Sequence, residues 1–264
     1  MTQRIITGVV AGAVFLGLAI LGGAPFQILV GLLVIIAMSE LFKMRKLDIL
    51  SFEGILATLA ALALSLPTTQ YFPKLGTDSN LTLFTLVLFI MMGIMVFTNG
   101  KYTFEDIGFP FLSAFYIGIG FQNLLAARAS SLFIFFMALF IVWATDSGAY
   151  FVGRKLGKTK LIPSVSPNKT VEGSLGGVIS AIVVALIMIF LYPKLAPNTN
   201  IFKMILLVAI FSVVGQLGDL VESSLKRHFG VKDSGKILPG HGGILDRFDS
   251  MIFVFPIMHL LGLF

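Results

Sequence analysis

Residues 81–97, LTLFTLVLFIMMGIMVF, decide the fold class of this chain. The stretch carries no charged side chain, and its apolar residues do not alternate with polar ones. A helix needs roughly 20 apolar residues to cross a hydrocarbon core of about 30 Å. The strands of a closed barrel, the other structure that satisfies its backbone in lipid, alternate apolar and polar residues. The stretch therefore predicts a transmembrane α-helix.

The composition of the whole chain agrees with this prediction. Of the 264 residues, 57% are hydrophobic and 12% are charged, and the mean hydropathy is +0.98. Soluble domains carry about 25% charged residues, so a soluble globular enzyme, a disordered chain and a nucleic-acid-binding domain are excluded. The absence of cysteine excludes disulfides, zinc–thiolate sites and thiol catalysis. The net charge of +6 indicates cations near lipid headgroups or a site for an anionic substrate.

Hydropathy along the chain predicts an all-α, polytopic transmembrane bundle with about nine spans. We divide it into an N-terminal bundle, 1–130, and a C-terminal catalytic bundle, 131–264, with polar loops at 154–173 and 223–250. The nine predicted spans are 5–22, 26–42, 49–66, 81–98, 107–127, 131–153, 174–192, 201–222 and 248–264.

The basic residues predict how the bundle is oriented. With nine spans, 15 of the 19 lysines and arginines fall on the side of the N-terminus. Cytoplasmic loops carry such an excess of positive charge. We therefore expect a cytoplasmic N-terminus, two cytoplasmic polar loops and a C-terminus outside.

Four aspartates stand near the cytoplasmic ends of three predicted spans: Asp146, Asp219, Asp246 and Asp249. The 15 residues after Asp249 make only about 22 Å of helix, so this carboxylate is expected below the cytoplasmic surface. Ionisable residues at such depth generally face a cavity or a partner. The alternative that Asp219 and Asp249 only mark helix ends at the interface stays open.

The spacing around Asp219 places further polar groups on the same helix face. Glu222, Ser223, Lys226 and Arg227 follow at i+3, i+4, i+7 and i+8. Carboxylates can hold Mg²⁺ while lysine and arginine neutralise phosphates, which suits phosphoryl or nucleotidyl transfer. A structural salt-bridge network between helix ends is the alternative. In the other loop, PSVSPNKTVEGS at 163–174 reads as the start of a helix, where Lys169 could bind phosphate.

Residues 223–249, SSLKRHFGVKDSGKILPGHGGILDRFD, resemble the signature of the phosphatidate cytidylyltransferase (CDP-diacylglycerol synthase) family. The signature is Ser-x-apolar-Lys-Arg, four intervening residues, Lys-Asp, and then Pro-x-His-Gly-Gly-apolar-x-Asp-Arg-apolar-Asp, and the chain matches it throughout. The stretches 146–150 and 166–173 also resemble family segments. The first 130 residues match only as hydrophobic spans.

The resemblance implies a Mg²⁺-dependent transfer of CMP from CTP to phosphatidate, which yields CDP-diacylglycerol and pyrophosphate. It also implies a homodimer among membrane lipids of the cytoplasmic (inner) membrane, with the active site facing the cytoplasm and no nucleic-acid partner. A second cation is left open. The catalytic residues it implies are Asp219, Lys226, Arg227, Asp246 and Asp249. The metal ligands are Asp219, Asp246 and Asp249, with Asp146 left open as a fourth. The substrate-binding residues are Ser166, Lys169, Glu172, Ser223, Lys232, Asp233, His241 and Arg247.

Two other functions stay open from the residues. A CTP-dependent polyprenol or phytol kinase shares the Lys-Thr-x-Glu-Gly element, but it releases CDP rather than pyrophosphate. A cation transporter also places carboxylates inside a helical bundle, but it predicts acids along a path with two open ends. The acids here cluster at one side.

Overall fold

The computed structural model describes residues 2–75, 78–98, 102–193 and 200–264. Lys101 and Lys194, which were part of the orientation argument, lie outside these residues. The described α-helices are α1 Thr2–Leu21, α2 Gly23–Met44, α3 Phe52–Ser65, α4 Thr68–Tyr71, α5 Ser79–Phe97, α6 Phe104–Ser130, α7 Leu132–Leu156, α8 Val171–Leu191, α9 Ile201–His228 and α10 Leu245–Leu260. A 3₁₀ turn spans Pro73–Leu75, and two strands, β1 Lys160–Ile162 and β2 Ser166–Thr170, precede α8.

The prediction of an all-α polytopic membrane fold is confirmed. Each of the nine predicted spans coincides with a described helix. By length and composition, six of the helices in the described residues are able to cross a membrane: α2, α5, α6, α7, α8 and α9. The apolar segments Ile6–Leu21 and Phe52–Ser65 are shorter, as is α10 with 16 residues. The count of nine spans and the sides of the termini therefore stay predictions.

Both predicted polar loops contain more regular structure than the sequence indicated. In the first, β1 and β2 form an antiparallel hairpin that pairs Lys160 with Thr170 and Ile162 with Ser166. The second is shorter than 223–250, because α9 continues to His228 and α10 begins at Leu245. The Thr170 hydroxyl accepts a 3.1 Å hydrogen bond from the Gly173 N–H and so caps the start of α8.

The chain groups into two compact units. The first unit comprises Met1–Ala126 with Val231–Arg247, and the second unit comprises Ala127–Gly230 with Phe248–Phe264. The first boundary falls close to the expected division at 130. Residues 231–247, however, group with the N-terminal helices rather than with the C-terminal bundle. The boundary near the C-terminus falls inside α10.

Each unit has its own apolar core. In the first unit the side chains of Phe26, Phe42 and Phe121 are almost completely buried, and in the second unit those of Phe135 and Phe211 are. Burying a side chain of this size removes a large apolar area from water or lipid and packs it against neighbours. The cores thus hold the helices that carry the polar residues.

Small residues allow α7 and α8 to approach closely in the second unit. A Cβ atom added to Gly148 in α7 would lie 2.8 Å from the backbone oxygen of Gly176 in α8 and 2.6 Å from the Cβ of Ser180. One added to Gly177 would lie 2.8 Å from the backbone oxygen of Thr145. Small residues bring the backbones of membrane helices together, where packing rather than the hydrophobic effect holds them.

We expect Gly148→Ala to destabilise the protein by about 1–3 kcal/mol, because the added methyl group meets backbone and would push α7 from α8. Thermal unfolding in detergent would measure the loss. The matched control is Gly93→Ala in α5, where an added Cβ meets nothing within 4 Å. This variant should keep or slightly raise the stability. Equal unfolding midpoints for the two variants would contradict the close α7–α8 packing.

Candidate active site

A polar cavity of about 430 Å³ lies in the second unit. It is bounded by α7, the β-hairpin, the start of α8 and the middle of α9. Its polar lining residues are Asp146, Tyr150, Arg154, Asn168, Lys169, Thr170, Ser174, Gln216 and Asp219. Three of the predicted site residues, Asp146, Lys169 and Asp219, therefore line one cavity although they are distant in sequence.

An ion pair joins two of these residues. Lys169 Nζ lies 2.5 Å from Asp219 Oδ2, and the two side chains are 25% and 32% exposed. The Ser223 hydroxyl donates a 3.3 Å hydrogen bond to Asp219 Oδ1, as its position one turn later on α9 allows. The hairpin end and the α9 face thus meet at Asp219, and both are partly open to the cavity.

Two further acids stand near this pair. The charged neighbours that act on the Asp249 carboxylate are Asp219 and Asp146, which repel it, and Lys226, which attracts it. Asp249 is half-buried in α10, whereas Asp146 is exposed on α7. The second unit therefore contains three of the four predicted metal ligands, together with the predicted phosphate contacts Lys169, Lys226 and Arg227.

Lys226 forms an ion pair with a residue outside the predicted site. Its ammonium group contacts Glu222 Oε2 one turn earlier on α9. The Glu222 side chain is 0% exposed and that of Lys226 is 15% exposed. A buried charge needs such a partner, because an unpaired one costs several kcal/mol. Glu222 therefore holds Lys226 against α9, and the prediction that Lys226 contacts phosphate stays untested.

Three other predicted residues bind or build the hairpin. The Glu172 carboxylate accepts backbone hydrogen bonds of 3.0 and 3.1 Å from the Lys158 and Thr159 N–H groups. Arg227 Nε donates to the backbone oxygen of Val165 at 3.3 Å. Ser166 begins β2. These three residues do not line the cavity themselves, but Glu172 and Arg227 bond to the hairpin segment, which lines the cavity through Leu161, Asn168, Lys169 and Thr170.

The carboxylates fit Mg²⁺ in chemistry and number. Mg²⁺ prefers hard oxygen ligands and usually takes one or two carboxylates, with water and substrate phosphates filling the rest. Asp219 and Asp249 provide such oxygens. Across the residues that the structure describes, no three His, Cys, Asp or Glu side chains are grouped closely enough to hold a metal ion by themselves. The donors therefore suit an ion whose coordination is completed by phosphate, and not a closed protein cage.

Asp246 belongs to the first unit, where it organises the signature segment. Its Oδ2 accepts from the Gly243 N–H at 2.7 Å, the Ser234 N–H at 3.0 Å and the Ser234 hydroxyl at 2.9 Å. Gly240 and Gly242 have φ angles of 78° and 84°, which favour glycine. These bonds close a tight turn before α10.

Glu40 in α2 is the residue that sequence reasoning missed. Its side chain is only 3% exposed. Its Oε1 accepts from the Ile244 N–H at 2.9 Å, and its Oε2 accepts from the Leu245 N–H at 2.8 Å and the Ser234 hydroxyl at 3.0 Å. Glu40 thus binds the N–H groups at the start of α10, where a negative charge is favourable. The sequence offered one signal that could have identified Glu40, because an acid within a predicted span usually has a structural or functional role.

The remaining predicted residues also lie in the first unit. Lys232 and Asp233 are exposed and line a second cavity, near Glu40. The imidazole of His241 packs against α1, since a Cβ added to Gly8 would lie 2.8 Å from His241 Nε2. Arg247 is exposed. The predicted residues are therefore divided between two units, each of which has its own cavity.

An all-α polytopic membrane protein with acids and cations gathered in polar cavities is the class that this fold and these sites define. The chain belongs to the cytidylyltransferase family, whose model matches residues 2–264. It is similar to the phosphatidate cytidylyltransferase of Bacillus subtilis (strain 168), with 46% identity over 269 residues, covering 100% of this chain and 98% of the relative. It is also similar to the enzymes of that name from Staphylococcus haemolyticus (strain JCSC1435), at 43%, and Staphylococcus aureus (strain COL), at 40%; both matches cover 99% of this chain and 98% of the relative.

These comparisons confirm the resemblance seen in the sequence and make the chain a nucleotidyltransferase. They extend the likeness beyond the signature. The first 130 residues, which matched only as hydrophobic spans, fall within the family match as well.

Proposed function

We propose that this protein transfers CMP from CTP to phosphatidate, forming CDP-diacylglycerol and pyrophosphate. The observation that carries the proposal is the similarity over nearly the full length to proteins named phosphatidate cytidylyltransferase. The identity to the relative from Bacillus subtilis (strain 168) is 46%. The cavity of the second unit supports it, because Lys169, Asp219 and the neighbouring acids are suited to phosphates and a metal ion. A homodimer in the cytoplasmic membrane, with the active site facing the cytoplasm, is part of the proposal.

The reaction needs charge neutralisation more than a strong base. A phosphate oxygen of phosphatidate attacks the α-phosphorus of CTP in line with the leaving group. One P–O bond forms there while the bond from the α-phosphorus to the β-phosphate oxygen breaks, and pyrophosphate leaves. Phosphatidate is already anionic at pH 7, so the nucleophile need not lose a proton to the protein. The task is to hold two polyanions together.

The residues of the second unit would serve the CTP side of this task. Lys169, next to Asp219, would bind CTP phosphates, and the hairpin that Glu172 and Arg227 hold in place forms the adjoining wall. Asp219 and Asp249, with Asp146 nearby, would hold Mg²⁺. Bound Mg²⁺ would supply positive charge to the phosphates during the transfer.

The test is a product assay on purified protein in phosphatidate-containing vesicles. CTP labelled in the cytidine and in the γ-phosphate should give labelled CDP-diacylglycerol and labelled pyrophosphate in equal amounts. A chelator should abolish both products, and excess Mg²⁺ should restore them. Release of CDP with a phosphorylated lipid would instead assign the kinase reaction. Cation flux into liposomes without CTP turnover would assign the transporter.

A further inference from the structure

The second cavity, in the first unit, has a volume of about 700 Å³ and lies where α2 ends. Its walls come from the last turns of α2 and from the segment Val231–Ile237. The lining residues include three lysines, Lys43, Lys232 and Lys236. Such a volume is within the range of ligand pockets, roughly 300–1,000 Å³.

The three lysines outnumber the two acids that line this cavity, so its lining carries a net positive charge. Lys43, Lys232 and Lys236 are exposed, and none forms an ion pair with a carboxylate in the part of the chain that the structure describes. Two acids also line the cavity, Glu40 and Asp233. Both oxygens of Glu40 already accept hydrogen bonds from the start of α10 and from Ser234. The cavity therefore has cationic groups available for an anion.

The other wall of the cavity is apolar and continues along α2. Ile36, Met44, Val231 and Ile237 line it. Leu32 lies one turn before Ile36 on the same helix face, and its side chain is 53% exposed on a helix long enough to cross a membrane. An apolar strip thus leads from the predicted hydrocarbon region to the three lysines. This combination suits an amphiphile with acyl chains and an anionic head.

We propose that this cavity binds the headgroup of phosphatidate, with Lys43 and Lys236 joining Lys232 around the phosphate. The proposal rests on the proposed function, and it assigns the lipid substrate to the first unit. A phosphate monoester approaches two negative charges near pH 7, as a phosphoserine does, whereas a phosphodiester headgroup carries one. Three lysines therefore favour phosphatidate over the bulk anionic lipids that share the bilayer.

The experiment compares the full-length double variant Lys43→Gln/Lys236→Gln with the wild type in phosphatidylcholine vesicles that contain phosphatidate. Loss of two charge-assisted contacts should raise the KM for phosphatidate by about tenfold or more. The KM for CTP and kcat should stay within about twofold, since neither lysine lines the second unit's cavity. Lys43→Arg/Lys236→Arg, which keeps the charge, should restore most of the affinity.

Lys46→Gln is the matched control, because Lys46 belongs to the same basic run and is exposed but does not line the cavity. If Lys46→Gln raised the KM for phosphatidate as much as the double variant does, the lysines would act only as general anchors for lipid headgroups, and the proposal would be overturned. An unchanged KM in the double variant would do the same. Thermal unfolding of each variant distinguishes a loss of binding from a loss of folding. If the glutamine double variant fails to fold, the arginine double variant is measured in its place.

A binding measurement without CTP separates this proposal from the proposed function. A photoactivatable phosphatidate analogue should label the wild type more strongly than the double variant, and phosphatidate should compete better than phosphatidylglycerol. Equal competition by the two lipids would show a site without headgroup selectivity and would contradict the proposal. If the wild type makes no CDP-diacylglycerol, the proposed function fails, whereas the labelling result still decides whether the cavity binds phosphatidate.

Discussion

Glu40→Gln is expected to lower the unfolding free energy by about 2–4 kcal/mol and to reduce transferase activity strongly. Both Glu40 oxygens accept hydrogen bonds, from the Ile244 and Leu245 N–H groups and from Ser234. Glutamine has the same size but replaces one oxygen with a donor NH₂ group. That group would face an N–H and leave it buried without an acceptor, and the negative charge at the start of α10 would be lost.

The measurement is the thermal unfolding midpoint in detergent together with CDP-diacylglycerol formation in vesicles. Glu105→Gln is the matched control, because Glu105 is an exposed acid in the first turn of α6. It should lose no more than about 0.5 kcal/mol. If Glu40→Gln kept both the stability and the activity of the wild type, Glu40 would not hold the signature segment.

Asp219→Asn should reduce kcat by about 100- to 1,000-fold with a much smaller loss of stability. Asparagine keeps the size of the side chain, and its oxygen can still accept the bond from Ser223. It lacks the charge that holds Lys169 at 2.5 Å and that would bind Mg²⁺. Because Asp219 is 32% exposed, the ion pair itself contributes little to stability. The substitution should therefore reduce the rate of the reaction far more than the stability of the protein.

This prediction is checked by steady-state kinetics over a range of Mg²⁺ concentrations. Asp48→Asn serves as the control, since Asp48 is exposed and its side chain accepts from the Leu50 N–H, a bond that asparagine also makes. It should have wild-type kcat. If a folded Asp219→Asn enzyme had near wild-type turnover, Asp219 would neither bind the metal ion nor take part in catalysis.

Sequence reasoning missed Glu40 and the β-hairpin for different reasons. The window that identifies a span averages over about 19 residues, so a single acid in an apolar segment is hidden by its neighbours. The hairpin has a three-residue and a five-residue strand. Strands that short carry no clear period, and PSVSPNKT is equally compatible with the loop before a helix. Local patterns therefore could not reveal either feature.

The sequence by itself determined the helical membrane class, the family and the side chains that share a helix face. In lipid every backbone group must be bonded within its own helix, so an apolar run is enough to predict a span. The proximity of Asp219 and Ser223 likewise follows from the turn of one helix. Only the tertiary structure decided that Lys169 pairs with Asp219, that Glu40 binds the start of α10 and that residues 231–247 group with the first unit. Those contacts join segments distant in the chain, and they depend on how close helices pack rather than on any local repeat.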